Sequence, residues 1–324
     1  MKDFRGRLAV LSGAGSGMGR ALALQLAGEG CHLGLCDINA DALAETAARC
    51  RSENSSVQLT TAACDVAEEA ELQDFRQKLE SEQPETELAL LINNAGVSGG
   101  GSFVLDSRAE WERTFAICWS GVYLMTRTFL PALLKAEEGH VVNMSSALGL
   151  RAVLGGHVPH TAYSVAKFAV RGFSEALIHD FRFNAPHLKV SMVLPGTIGT
   201  GIMSNSLAVL GHNQPTDWTT EEVAAARRRW DIAGSIDHST MDDDAVRAAG
   251  VREIEAMSGA GISAEEAAEI ILDGVRNDRW RILVGPDVES LDACVNEAPE
   301  AAYDPDFVLR WREANAALMA EREG

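Results

Sequence analysis

The segment Leu8-Ala9-Val10-Leu11-Ser12-Gly13-Ala14-Gly15-Ser16-Gly17-Met18-Gly19 constrains this chain more than any other. An apolar run ends in a glycine-rich turn, and a helix-forming stretch through Ala27 follows. A strand, a tight turn and a helix in that order bring free backbone N–H groups and the positive end of a helix dipole to one point, which suits a pyrophosphate. The glycines let the backbone turn sharply and approach such a ligand closely. A second apolar run, 31–36, leads to Asp37, roughly 20 residues beyond the glycines, the interval at which a dinucleotide fold sets an acid against the adenosine ribose hydroxyls. Such a carboxylate accepts from a free ribose and repels a 2′-phosphate, so NAD is expected over NADP.

Apolar runs recur at 57–64, 88–93, 140–145, 189–194 and 280–284, in addition to 7–12 and 31–36. Most are apolar throughout rather than alternating, as in a parallel sheet covered on both faces. Helical patterns lie between them, over 16–28, 40–51, 67–82, 108–135, 162–183 and 264–277. The fourth and last open with capping boxes, Ser107-x-x-Glu110 and Ser263-x-x-Glu266. The alternation predicts an α/β chain with a doubly wound parallel sheet of Rossmann type. We expect one NAD-binding catalytic domain over 1–324. Residues 201–262, with helical patterns at 221–232 and 243–257, break the rhythm and are expected to form a substrate lid, and 286–324 to form a C-terminal extension.

The net charge of −19 makes nucleic acid and anionic membrane surfaces poor partners, and the only basic cluster, Arg227-Arg228-Arg229, lies in a helical pattern and reads as a solvated face. The six cysteines form no C-x-x-C pair and no zinc spacing, so no metal is expected. Several fall in or beside apolar runs, where a thiol acts as a small apolar group, and the charged start Lys2-Asp3-Phe4-Arg5 does not read as a signal peptide. A cytoplasmic location is the expectation. The most membrane-like stretch, 114–134, contains Arg127 and Pro131 and reads as a buried or interface helix.

Tyr163-Ser164-Val165-Ala166-Lys167 carries the candidate chemistry. On a helix, i and i+4 share a face. A phenol ionises near pH 10 and is a poor acid/base at neutrality, but an ammonium on the same face favours the phenolate. Three further motifs sit where strands end, which is where open α/β sheets bind ligands: Asn93-Asn94-Ala95-Gly96, the serines Ser145-Ser146, and Pro195-Gly196-Thr197-Ile198-Gly199-Thr200.

In order and spacing these motifs resemble the classical short-chain dehydrogenase/reductase family, strongly over residues 5–200 and weakly over 263–285. The resemblance implies a role for each matching position. Gly13, Ser16, Gly17, Met18 and Gly19 correspond to the pyrophosphate turn, Asp37 to the ribose acid, and Asp65 with Val66 to the adenine site. Asn93, Ala95 and Gly96 correspond to the motif that lines the cofactor and ties the sheet. Ser146 would hold the substrate oxygen, with Ser145 as the alternative. Tyr163 would be the acid/base, and Lys167 would hold the nicotinamide ribose and tune the tyrosine. Pro195, Gly196, Ile198 and Thr200 would surround the nicotinamide.

Two positions depart from the family pattern. Cys118 stands where the family usually has an asparagine that holds a water of the proton relay, and a thiol bonds weakly, so a rerouted relay or a lower rate is expected. The interval from Ser146 to Tyr163 is longer than usual, and the extra residues include His157 and His160, either of which would have access to substrate if they form its wall. The expected function is hydride transfer between NAD(H) and a secondary alcohol or ketone. Leu207, Val209, Leu210 and Trp218 in the lid favour a lipophilic or cyclic substrate. The alternatives are an NAD-binding regulator with an impaired site, or a sugar-nucleotide epimerase or dehydratase on the same scaffold. The helical patterns 108–135 and 162–183 are apolar nearly all round, which predicts burial on more than one side and a homodimer or homotetramer.

Overall fold

The computed structural model describes residues 1–154, 159–233 and 235–323. The first half alternates strictly: β1 (Leu8–Ser12), α1 (Gly17–Gly28), β2 (His32–Asp37), α2 (Ala40–Glu53), β3 (Leu59–Ala63), α3 (Glu69–Glu82) and β4 (Leu88–Asn93). There follow α4 (Arg108–Phe115), a π-helical turn (Ala116–Ser120), α5 (Gly121–Leu133), β5 (Gly139–Met144), α6 (Thr161–Asn184) and β6 (Leu188–Pro195). The remainder comprises β7 (Ile198–Gly199), α7 (Ile202–Leu210), α8 (Thr220–Ala233), α9 (Asp243–Ser258), β8 (Ile262–Ser263), α10 (Ala264–Arg276), β9 (Arg281–Val284), α11 (Pro286–Glu297) and α12 (Phe307–Glu323).

Seven strands form one parallel sheet in the order β3-β2-β1-β4-β5-β6-β9. Every residue of β1, β4 and β5 is buried, which is why these segments carry no alternation. One face packs on α1 and α10, through Leu22, Leu26, Ile271 and Leu272. The other packs on α3, α5 and α6, through Phe75, Phe129 and Phe181. The order reverses between β1 and β4, so the crevice beyond their carboxyl ends is the topological switch point where such folds bind ligands. A third cluster joins β6 to α11 and α12 through Met192, Leu194, Leu291 and Phe307. A fourth, around Trp230, Val246 and Ala249, joins α8 and α9, with Trp218, Ile236 and Met241 of the flanking segments packed against it.

Both capping boxes form as their sequences imply, with the Ser107 and Ser263 hydroxyls accepting from the N–H groups of Glu110 and Glu266. The single helix expected over 108–135 is instead two helices joined by the π turn. Its cause is visible at Cys118, treated below. A helix over 202–210 was not expected from the sequence, and α7 owes its place to tertiary bonds. The Ser206 hydroxyl accepts from Ser98 N–H in the loop after β4, and Asn205 Nδ2 donates to Ser16 Oγ in the first glycine turn.

Candidate active site

A cavity of about 230 Å³ opens at the switch point, bounded by the first glycine turn, Asp37, Asp65, Val66, Ala95 and Gly96. It falls below the ~300–1,000 Å³ of ordinary ligand pockets. Helix α7 contributes Asn205, Ala208 and Val209 to its lining.

The glycine turn fits a dinucleotide by its lack of side chains. A Cβ on Gly13 (φ +66°) would stand 2.8 Å from Ala95 Cα, and one on Gly19 would stand 2.0 Å from the Gly13 carbonyl oxygen. The backbone is therefore packed as closely as it can be beneath the N-terminus of α1, leaving its N–H groups to an anion. Ser16 caps α1 without a side-chain bond to the helix, and Met18 lines the same cavity. The Asp37 carboxylate is pinned on both oxygens, Oδ2 by Gly15 N–H at 2.8 Å and Oδ1 by Asn39 N–H at 2.8 Å.

Asp65 lines the cavity with one oxygen accepting from Ala67 N–H and the other paired with the Arg113 guanidinium. Arg113 comes from α4 and also lines the cavity. No sequence pattern linked these two residues. Asn94 belongs to the motif 93–96, in which the family resemblance gives it no role of its own. Its side chain donates to the carbonyls of Ser12 and Gly13, and it locks the end of β4 to the glycine turn. Asn93 does not line the cavity. It is buried within the sheet, donating to Asn143 Oδ1 on β5 and to Thr126 Oγ1 on α5. Asn143 Nδ2 passes the connection to Ser174 on α6, so a buried polar chain fixes α6 against the sheet.

That helix presents Tyr163 and Lys167. Its first N–H groups have no side-chain cap. The carbonyls of Gly101 and Gly100 accept instead from Thr161 and Ala162. Trp111 Nε1 donates to Thr161 Oγ1, tying α4 to the same end. Lys167 is buried, and its Nζ donates to the Met144 carbonyl at the end of β5 at 2.8 Å. The ammonium stands 5.4 Å from the centre of the half-buried Tyr163 ring, and a Cβ on Gly96 would stand 3.6 Å from it. Lys167 thus links the tyrosine to the end of β5 beside Gly96, while Ser146, Tyr163 and Lys167 themselves are not among the residues that line the cavity.

The two serines after β5 separate cleanly. Ser145 is buried, and its hydroxyl donates to the Lys167 main-chain carbonyl, so it holds the helix. Ser146 caps a short 3-10 turn (Ala147–Gly149), its oxygen accepting from Leu148 N–H, which leaves its proton for another acceptor. At the end of β6, Pro195 leads into a loop whose Gly196 N–H donates to Val284 of β9. Ile198 begins β7 and pairs with Ile262, and the Thr200 side chain lies against the Gly17 backbone.

Cys118 sits at the centre of the π turn, fully buried. Its Sγ accepts from Val97 N–H at 3.4 Å and donates to the Val97 carbonyl at 3.2 Å. The thiol reaches sideways to the loop after β4, and the extra residue of the π turn accommodates that reach. Burial pushes this thiol above its ordinary pKa, with the Lys167 charge pulling the other way, so it is held as a neutral hydrogen-bonding group. The thiol, a weak hydrogen-bonding group, is used here on the loop after β4, once as donor and once as acceptor. His160 precedes α6, and burial lowers its pKa, so it is neutral at physiological pH. His157 lies outside the described residues. Trp218 does not face the cavity; it packs in the small core of α8 and α9, where a Cβ on Gly250 would stand 2.5 Å from its ring. Among the described residues no cluster of His, Cys, Asp and Glu could hold a metal, and no helix is long and apolar enough to cross a membrane.

Comparison with known proteins identifies the family. Residues 7–209 match the short chain dehydrogenase family. A Mycobacterium tuberculosis protein provisionally named oxidoreductase SadH is 36% identical over 216 residues, 67% of this chain and 75% of that protein. Rat (Rattus norvegicus) estradiol 17-beta-dehydrogenase 11 is 32% identical over 212 residues, 65% of this chain and 68% of that one. The crystal structure of a short chain dehydrogenase/reductase from Burkholderia phymatum in complex with NAD superposes with a TM-score of 0.72 at 27% identity, covering 94% of this chain and 98% of that one. A metagenomic short-chain oxidoreductase in complex with NADP also matches, with a TM-score of 0.53 at 28% identity over 60% of this chain and 83% of that one. The chain belongs to the short-chain dehydrogenase/reductase family, and it is an oxidoreductase of that family.

Proposed function

We propose that this oxidoreductase uses NAD(H) and interconverts a lipophilic or cyclic secondary alcohol with its ketone, with Tyr163 as acid/base. The observation that carries the reading is the position of Lys167 Nζ, between the Met144 carbonyl, the Tyr163 ring and the Gly96 edge of the cavity. The nicotinamide, when bound, supplies the hydride acceptor. Ser146 donates its free proton to the substrate oxygen and orients the carbinol. Tyr163 takes the hydroxyl proton as hydride departs, and Lys167 favours the phenolate through its charge. Asp37 holds the adenosine ribose, Asp65 the adenine, and the glycine turn the pyrophosphate. Pro195, Gly196, Ile198 and Thr200 enclose the nicotinamide end.

In this reading 201–262 acts as the lid and 286–324 as an extension of a single catalytic domain. Leu207, Val209 and Leu210, apolar residues of α7 within the lid segment, support a lipophilic substrate. Six unpaired cysteines support a reducing, cytoplasmic setting. Tyr123 on α5 and Phe168 and Phe183 on α6 are exposed, which supports assembly into a homodimer or homotetramer through those helices. The test is a screen of cyclic and aryl secondary alcohols, following NAD reduction with the purified protein. Turnover confined to small charged alcohols would overturn the substrate class, and turnover retained in Tyr163→Phe would overturn the mechanism.

A further inference from the structure

The C-terminal extension reaches two loops that the proposed reaction must hold in register. After β6, the Asp287 carboxylate at the start of α11 accepts from Thr197 N–H at 2.7 Å and from Thr197 Oγ1 at 2.8 Å. Gly196 packs directly against it, since a Cβ there would stand 2.0 Å from Asp287 Oδ1. After β5, Arg151 is only 5% exposed, and no carboxylate among the described residues pairs with it. Its Nε donates to the Ala302 carbonyl, and its guanidinium lies between the rings of Tyr303 and Phe307, 5.0 and 4.5 Å from their centres. The next residue, Ala152, donates its N–H to the Tyr303 hydroxyl, and its carbonyl accepts from Ser164, the neighbour of Tyr163.

These two contacts are joined within the extension. Trp311 Nε1 on α12 donates to the Asp287 carbonyl and to Ser290 Oγ on α11, and buried Phe307 and Leu291 pack between the helices. A buried cation with neither carboxylate nor solvent is costly to leave without contacts, and Arg151 is held by a carbonyl and two rings, which makes it a fixed joint rather than a solvated side chain.

We propose that α11 and α12 form a brace that sets the loop bearing Ser146 against the loop 195–200, with Asp287 and Arg151 as positioning residues. The inference rests on the reading of those loops as oxygen-holding and nicotinamide-holding. Hydride transfer needs its reacting groups held to a fraction of an ångström, and neither loop has a regular secondary structure long enough to hold itself.

The test measures amide hydrogen exchange in the full-length protein without cofactor, together with NADH binding and steady-state kinetics. Asp287→Ala is expected to speed exchange over 195–200 at least tenfold and to weaken NADH binding at least tenfold. Asp287→Asn keeps an accepting oxygen and is expected to stay within threefold of the parent. Arg151→Met, and the milder Tyr303→Phe, are expected to speed exchange over 147–154 and to lower kcat at least fivefold with NADH affinity unchanged. Folded variants whose loop exchange stays within twofold of the parent overturn the brace, as does quickened exchange with unchanged kinetic constants. The exchange measurement needs no turnover, so a failed brace is distinguishable from a failed assignment of the reaction.

Discussion

The sharpest prediction concerns the choice between NAD and NADP. Asp37 cannot swing away from a 2′-phosphate, because Gly15 N–H and Asn39 N–H pin its two oxygens. The nearby cation cannot neutralise such a phosphate either. Arg20 is committed to both oxygens of Glu45, at 2.8 and 3.0 Å, and to the Gly15 carbonyl. A 2′-phosphate carries about −1.5 to −2. At ~5 Å and an effective dielectric of ~20, each unit of charge against the carboxylate costs about 3 kcal/mol. Asp37 is half-buried, and solvent screening removes part of this. A net penalty of about 3 kcal/mol is left, which is roughly a hundredfold in affinity. The assay is NADH against NADPH binding by fluorescence, repeated as kcat/KM once a substrate is found. The parent should prefer the unphosphorylated cofactor by ~100-fold or more, and Asp37→Ser should bring the ratio below ~10. Adding Glu45→Gln, which frees Arg20, should move it further toward NADPH. A parent ratio near unity, or a ratio unmoved by Asp37→Ser, refutes the reasoning.

Other expectations follow from the same geometry. Tyr163→Phe should cut turnover by about 10³-fold while NADH binding stays within twofold, and activity above a few per cent would assign the proton to another group. Cys118→Ser, which can still give and accept a bond at Val97, should stay near parental rates. Cys118→Ala should lose less than about tenfold, and a loss as deep as that of Tyr163→Phe would place the thiol in the chemistry itself. Burial lowers the His140 pKa from 6.5 to about 3, so as pH falls the unfolded chain takes up the proton first. Stability is then whole above pH ~6.5 and declines by about 1.4 kcal/mol per unit toward the folded value. Between pH 6.5 and 5.0 the parent should lose about 2 kcal/mol more than His140→Gln in urea unfolding, and parallel curves would show that the imidazole is not kept neutral. Sedimentation at micromolar concentration should give a dimer or tetramer, and a single monomer mass would leave Tyr123, Phe168 and Phe183 exposed without a reason.

What could be read in advance was whatever local pattern determines. β4 spans the residues its apolar run implies, and the caps at Ser107 and Ser263 form because a hydroxyl and an N–H three residues on meet in any helix start. The motif residues at strand ends were legible for the same reason, since strand, turn and helix succeed one another over a few positions. What escaped were contacts between distant segments. Arg113 meets Asp65, Asn94 meets the Gly13 carbonyl and Asp287 meets Thr197 only after the sheet is assembled. The helix α7 is hard to read from the sequence because Gly201 offers no capping side chain and eight of its nine residues are apolar or small and form no clear stripe, although Gly211 beyond it takes the left-handed conformation of a helix end at φ +78°.

Cys118 shows where a residue-type argument stops and geometry takes over. From the family resemblance, a thiol in place of the usual asparagine reads as a loss of hydrogen-bonding capacity. The π turn changes the comparison, because it sets Sγ between the N–H and the carbonyl of a single residue, Val97. A weak donor and acceptor placed at fixed distance from both partners can fix a loop as a stronger amide would, provided water is excluded, and Cys118 is fully buried. Val97 directly follows Gly96, the cavity edge that faces Lys167. The expected effect of the thiol on the proposed reaction is therefore through the position of that edge rather than by carrying a proton, and it is this distinction that the contrast between Cys118→Ser and Cys118→Ala measures.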